Sequence, residues 1–155
     1  MKFLKDLLII NEMFSSKIEL EITNSSSEFK TKAEIDEKSI TFEATKSDFQ
    51  FLEPALADVK DPWEIVFYQE GKHGYPLFTD TKTGSEIKIF SMVRQSFEIF
   101  YKVKNPTCLL FTAEKTRVNL YVKFIKKFLP EWSYEIITPT VVSADSIIKV
   151  EKKSS

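Results

Sequence analysis

One cysteine, one histidine and three glycines in 155 residues are the first features of this chain. A single thiol builds no disulfide framework within the chain, and one histidine with one cysteine cannot complete a zinc tetrad. No metal site is expected. Cys108 stands in the apolar run "TCLLFTA", where a buried free thiol is the expected state, consistent with a reducing compartment. His73 is flanked by glycines in "EGKHGYPLF", the setting of a surface loop. A Ser–His–Asp or Cys–His hydrolase would depend on that one residue, which argues against nucleophilic hydrolysis. Apolar runs are short as well. None reaches the roughly 18 residues that a membrane-spanning helix needs, so no membrane role is expected. Net charge is nearly absent, at −1, which argues against a surface that coats nucleic acid.

Phenylalanine is plentiful, with 14 residues, and the chain is 43% hydrophobic. Large rings bury much area each, so a core can form with few other staples. One domain is expected over residues 1–155. Charge is unevenly spread along it. Residues 1–61 hold 8 Lys and no Arg against 13 acidic residues, so the rest of the chain carries the basic excess. The start, "MKFLKDLLIINEMF", places Leu4, Leu7, Leu8 and Met13 or Phe14 near helical spacing. Lys5 and Asp6 interrupt its apolar stretch, so the spacing predicts a short amphipathic docking helix over 1–14 rather than a secretory leader.

Residues 17–70 read as antiparallel strands. In "SSKIELEITN" Ile18, Leu20 and Ile22 alternate with charge. Phe29, Thr31, Ala33 and Ile35 share one face of the next strand, and Ile40, Phe42 and Ala44 one face of a third. Glu37 and Lys38 are expected to turn between them. Pro54 fits the start of a single helical turn, and "PWEIVFYQ" is a fourth strand. Residues 84–151 read as helix, strand, helix, strand. In the first helix Ile87, Phe90, Val93, Phe97 and Phe100 or Tyr101 recur at three and four, and Ile89, Met92, Ile99 and Val103 widen the stripe. "NP" ends it. "TCLLFTA" is continuous enough to be a central strand. "FTAEKTRVNLYVKFIKKFLPEW" supplies the second helix, with Val118, Tyr121, Phe124 or Ile125 and Phe128 inward. Phe90, Val93, Phe97, Leu109, Leu110, Tyr121, Ile125 and Phe128 are the expected core. The order predicts an α+β fold: a mostly antiparallel sheet with two main helices packed on it.

Two places could carry chemistry. "TKTGSEIKIF" sets Thr83, Gly84 and Ser85 before a helix, where backbone N–H groups and the helix dipole favour an anion; a helix cap at Thr83 or Ser85 is the plainer role. In the second helix Arg117 and Tyr121 are four apart and therefore neighbours. A cation near a helix N-terminus opposes the dipole, so Arg117 should have a non-local partner: a sheet carboxylate or carbonyl as a clamp, or an external anion as a site. Lys115, Arg117, Lys123, Lys126 and Lys127 form a basic stripe that could meet RNA or a nucleotide.

The run strand, helix, strand, helix, strand with "LY" in the second helix resembles the C-terminal half of the GNAT acyltransferase superfamily. That resemblance implies a coenzyme A pyrophosphate at Gly84 and Ser85, and Tyr121 as general acid to the leaving thiolate. The family's glycine-rich turn is reduced here to "TKTGSE", which predicts that acetyl-coenzyme A does not bind appreciably. A second resemblance covers about 75 residues, through "WEIVF", "GSEIKIFSMVRQSFEIF", "CLLFTA" and "KTRVNLYVKFIKKF". These are similar to small uncharacterised proteins of tailed bacteriophages, which implies a viral origin and a place in the virion or the cytoplasm of an infected cell. The leading expectation is a non-enzymatic binding protein with a protein partner and no cofactor, either virion-associated or directed at a host factor. The alternatives are a coenzyme A-dependent acyltransferase of GNAT type, with acetyl-coenzyme A, and an RNA or nucleotide binder.

Overall fold

A computed structural model describes residues 18–70, 84–115 and 117–153, with backbone only at 84–87. The expected helix over 1–14, the loop around His73, and Thr83 lie outside the described residues. Among the described residues, seven strands and two α-helices follow in order. The strands β1 (Glu21–Asn24), β2 (Glu28–Ile35), β3 (Lys38–Lys46) and β4 (Trp63–Gln69) precede helix α1 (Gly84–Lys104). Then come β5 (Cys108–Ala113), α2 (Val118–Phe128), β6 (Trp132–Ile137) and β7 (Ser146–Lys152). The sheet order is β1-β2-β3-β4-β5-β7-β6. β1 with β2, β5 with β7, and β6 with β7 pair antiparallel, while β4 and β5 run parallel. The fold is therefore α+β, with the mostly antiparallel sheet and two helices that periodicity predicts.

The chain forms two compact units. The first holds the described residues up to Glu43 together with Phe67–Asn105; the second holds Ala44–Val66 and Pro106 onward.

In the first unit the alternating pattern of β2 is realised: Phe29, Thr31, Ala33 and Ile35 are all buried, as are Ile40 and Phe42 on β3. The turn between them falls on Asp36 and Glu37, one residue earlier than expected, with φ of 49° and 69°. Two successive left-handed residues are what a two-residue hairpin turn needs to match the strand twist. α1 packs on β2. Ile89, Met92, Val93, Phe97, Ile99 and Phe100 are buried, so its wide stripe is covered on more than one side; Phe90 is half-buried. Phe100 lies 5.6 Å from Phe29 and 6.3 Å from Phe42, ring centre to ring centre. Buried hydroxyls are satisfied locally: Ser96 Oγ is 2.6 Å from Thr31 Oγ1 and 2.8 Å from the Met92 carbonyl. Asn105, with φ of 47°, closes α1 by donating its N–H to the Tyr101 carbonyl, a left-handed position that asparagine tolerates.

The second unit is built on β5, whose Leu109, Leu110 and Phe111 are fully buried. A cluster of Leu56, Val59, Cys108, Leu110, Ile137 and Ile147 fills one part of it. Burial pushes the Cys108 thiol up to about 12, which makes it an inert apolar filler. Pro54 opens a single 3-10 turn ending at Leu56, as its fixed φ suits. α2 buries Tyr121, Phe124 and Ile125, with Val118 and Phe128 half-buried. The helix starts later than its sequence pattern suggests. Glu114 and Lys115 belong to the turn after β5, closed by Arg117 N–H to the Glu114 carbonyl, and the Lys115 N–H donates to the Asp145 carboxylate at 3.0 Å. Arg117 occupies the cap position, with φ −112° and ψ −8°.

Candidate functional site

The parallel pair in the sheet is short. Among the described residues its register runs over Trp63↔Leu109 and Glu64↔Leu110, at the start of both strands. The next β5 residue is Phe111, and the ring of Tyr121 lies against it, 5.6 Å centre to centre. Helical spacing accounts for this placement. Tyr121, Phe124 and Ile125 share the apolar face of α2, and Tyr121 is the first of them after the β5 turn.

Arg117, one turn earlier, brings its guanidinium to the Tyr121 hydroxyl. Burial raises the Tyr121 pKa above the ordinary phenol value, and the charge and hydrogen bond of Arg117 pull the other way. The hydroxyl thus stays protonated through neutral pH, since an ordinary tyrosine titrates near about 10. The Arg117 side chain is 18% exposed and reaches Glu114 Oε2 at 3.8 Å; that carboxylate is 71% exposed. Its Nε is buried and has no hydrogen-bond partner among the described residues. Among the described residues the contacts of Arg117 are local, to Glu114 and Tyr121, three and four residues away. A long ion pair to an exposed acid holds a guanidinium weakly, so the cation keeps capacity for an anion.

This predicts the outcome of Arg117→Gln. Unfolding free energy should fall by about 1 kcal/mol, the net value of the hydrogen bond to Tyr121, with only a few tenths more from the exposed Glu114 pair. The Tyr121 pKa should rise further, because the charge that lowers it is gone. Spectrophotometric phenol titration of the variant against the parent protein reads this directly. A stability loss of several kcal/mol would instead make Arg117 a structural clamp.

The other expected site residues fall elsewhere. Gly84 and Ser85 are the first two residues of α1, so Ser85 stands inside the helix and not at its cap. Lys123, Lys126 and Lys127 are exposed on α2. Within the first unit a cavity of about 770 Å³ is lined by Leu20, Lys32, Asp36 and Lys88, among others. Ion pairs from Lys88 to Asp36 at 3.0 Å and from Lys32 to Glu70 at 2.9 Å engage both of its lysines. No group of three or more His, Cys, Asp or Glu residues suited to a metal occurs among the described residues. No described helix is long and apolar enough to cross a membrane.

Glu53 is a residue that periodicity does not reveal. It is 2% exposed. Its carboxylate accepts the Thr140 N–H at 3.0 and 3.1 Å, the Thr140 hydroxyl at 3.1 Å, and the N–H groups of Val141 and Val142. The Thr140 amide, then those of Val142 and Val141, lower its pKa from 4.5 to about 2 against the opposing effect of burial. The one sequence signal is a lone acid in the apolar stretch "FQFLEPAL". A depressed carboxylate pKa contributes stability that is full above the unfolded value and is lost as pH falls through the folded one. Thermal unfolding of Glu53→Gln should therefore lie below that of the parent protein at neutral pH. The two midpoints should converge as pH is lowered from 4.5 toward 2. A gap that is constant with pH would assign the effect to shape alone.

No family model matches the chain, and no curated protein matches it. Among solved structures, similarity is found to an uncharacterized protein from Bacillus halodurans, at 10% identity and a TM-score of 0.46 over 83% of this chain. The chain spans 61% of that protein's length. Similarity is also found to FeeM, an N-acyl amino acid synthase from uncultured soil microbes, at 12% identity and a TM-score of 0.44, covering 97% of this chain and 88% of that one.

Proposed function

We propose that the chain is a coenzyme A-dependent acyltransferase of GNAT type. The reading rests on one observation: among the described residues the parallel β4–β5 register ends at Glu64↔Leu110, and at the next residue, Phe111, the α2 helix delivers Tyr121 with Arg117 beside its hydroxyl. An extended ligand that carries its own amides, such as the pantetheine arm of an acyl-coenzyme A, has the donors and acceptors to add along a strand beyond that register.

The thioester supplies the acyl group. An acceptor amine bonds to the thioester carbonyl carbon as the C–S bond breaks, and the amine's surplus proton passes to solvent. Tyr121 holds a proton at Oη and gives it to the departing thiolate, then regains one from water. Arg117 fixes the hydroxyl and limits how far burial raises its pKa, which keeps the proton transferable. This reading replaces the expectation of no cofactor with an acyl-coenzyme A donor. The test is release of free thiol from acetyl-coenzyme A in the presence of a panel of small amines. Tyr121-dependent release supports the reading, and its absence across the panel removes it.

A second reading, the non-enzymatic binding protein of virion-associated or host-directed type, is favoured by a different observation. Phe51, Leu52 and Val141 are 80%, 51% and 59% exposed. All three flank the Glu53 clamp, which holds Val141 by its N–H. Large apolar side chains kept in water over a fixed support suit a protein contact.

A further inference from the structure

We propose that β6 is a docking edge for an extended peptide segment of another protein, with apolar side chains on either side of a basic one. Among the described strands β6 is the last in the sheet order, with β7 on one side. Its six residues pair with β7 without interruption, from Trp132↔Lys152 to Ile137↔Ile147, so no bulge twists the edge away. It contains no proline, no lysine and no glycine. Sheet edges are ordinarily blunted by such devices or by shortness. The opposite edge conforms by shortness: β1 has four residues.

The hydrogen-bond phase follows from the Lys153 N–H, which donates to the Glu131 carbonyl. Antiparallel pairs alternate, so Ser133↔Glu151 and Glu135↔Lys149 are bonded pairs. The main-chain groups of Tyr134 and Ile136 then point away from β7. The side chains of the same two residues are large, apolar and 37% and 49% exposed. Backbone donors, backbone acceptors and an apolar face thus coincide on one edge, the arrangement that strand addition uses.

Charge decides the occupant. Glu135, on the other face, is 61% exposed, with Lys149 3.6 Å away. A second copy aligned to set Tyr134 against Ile136 would place Glu135 opposite itself, and like charges directly opposite are destabilising. A foreign strand with lysine or arginine between two apolar residues meets Glu135 with the opposite charge. This assignment is independent of the acyl-transfer reading.

The probe is a blocked heptapeptide with valine at its third and fifth positions, lysine at its fourth and threonine elsewhere. Fluorescence titration of the full chain should show saturable binding. Affinity should fall at least tenfold when the peptide's lysine is replaced by glutamate. It should fall similarly when Ile136→Lys is introduced into the protein, with an unchanged thermal midpoint. Absence of binding, or equal binding by the glutamate peptide or the Ile136→Lys protein, overturns the proposal. So does a dimer in sedimentation that Ile136→Lys dissolves, since the edge would then belong to a second copy.

Discussion

Phe100→Ala is expected to lower the unfolding free energy by about 3–5 kcal/mol, the range for removing a buried aromatic ring. Phe100 is fully buried, and its ring touches those of Phe29 on β2 and Phe42 on β3. The latter two are themselves in edge contact at 6.4 Å. Three rings from one helix and two strands thus meet at one point of the first unit, and removing the central one strips contact from both others. The cavity cannot collapse easily, because β2 and β3 are held by their ladder and α1 by its other buried residues. Denaturant unfolding monitored by circular dichroism gives the value. A loss under about 1 kcal/mol would mean that the three rings are not a core at all, because exposed substitutions change stability by about that little.

Tyr121→Phe separates chemistry from packing. The ring stays against Phe111 and only the hydroxyl is lost. Stability should change by about 1 kcal/mol or less, the net value of one hydrogen bond. Under the acyl-transfer reading, thiol release from acetyl-coenzyme A should fall by about 100- to 10,000-fold, the usual contribution of a positioned proton donor. Binding of the thioester should be nearly unchanged, because the hydroxyl acts on the leaving group. A variant that is stable and retains full transfer activity would take the proton-donor role away from Tyr121.

Most of the fold can be read from periodicity. Strict alternation marks β2 and β3 because one face of each is buried, and the near-continuous apolar run of β5 marks a strand with neighbours on both sides. α1 and α2 follow from spacings of three and four. What periodicity cannot place is set by long-range contacts. The turn at Asp36 and Glu37 depends on φ signs that non-glycine residues do not advertise. The start of α2 is delayed because β5 continues through Ala113 and Asp145, far along the chain, caps the turn at Lys115.

The candidate site was legible in part. The four-residue spacing of Arg117 and Tyr121 predicts that they touch. It does not predict that the β4–β5 ladder stops beside them, because pairing extent is a property of two strands more than forty residues apart. Glu53 was hidden for a similar reason: its partners are Thr140, Val141 and Val142, and a lone acid in an apolar stretch gives no sign of which amides it will meet.

Calorimetric titration of the full chain with acetyl-coenzyme A tests the central claim most directly. A ligand held where the β4–β5 register ends should bind saturably at one site with micromolar affinity, about −8 kcal/mol. No detectable heat at millimolar ligand would contradict the acyl-transfer account and leave the binding-protein reading in its place.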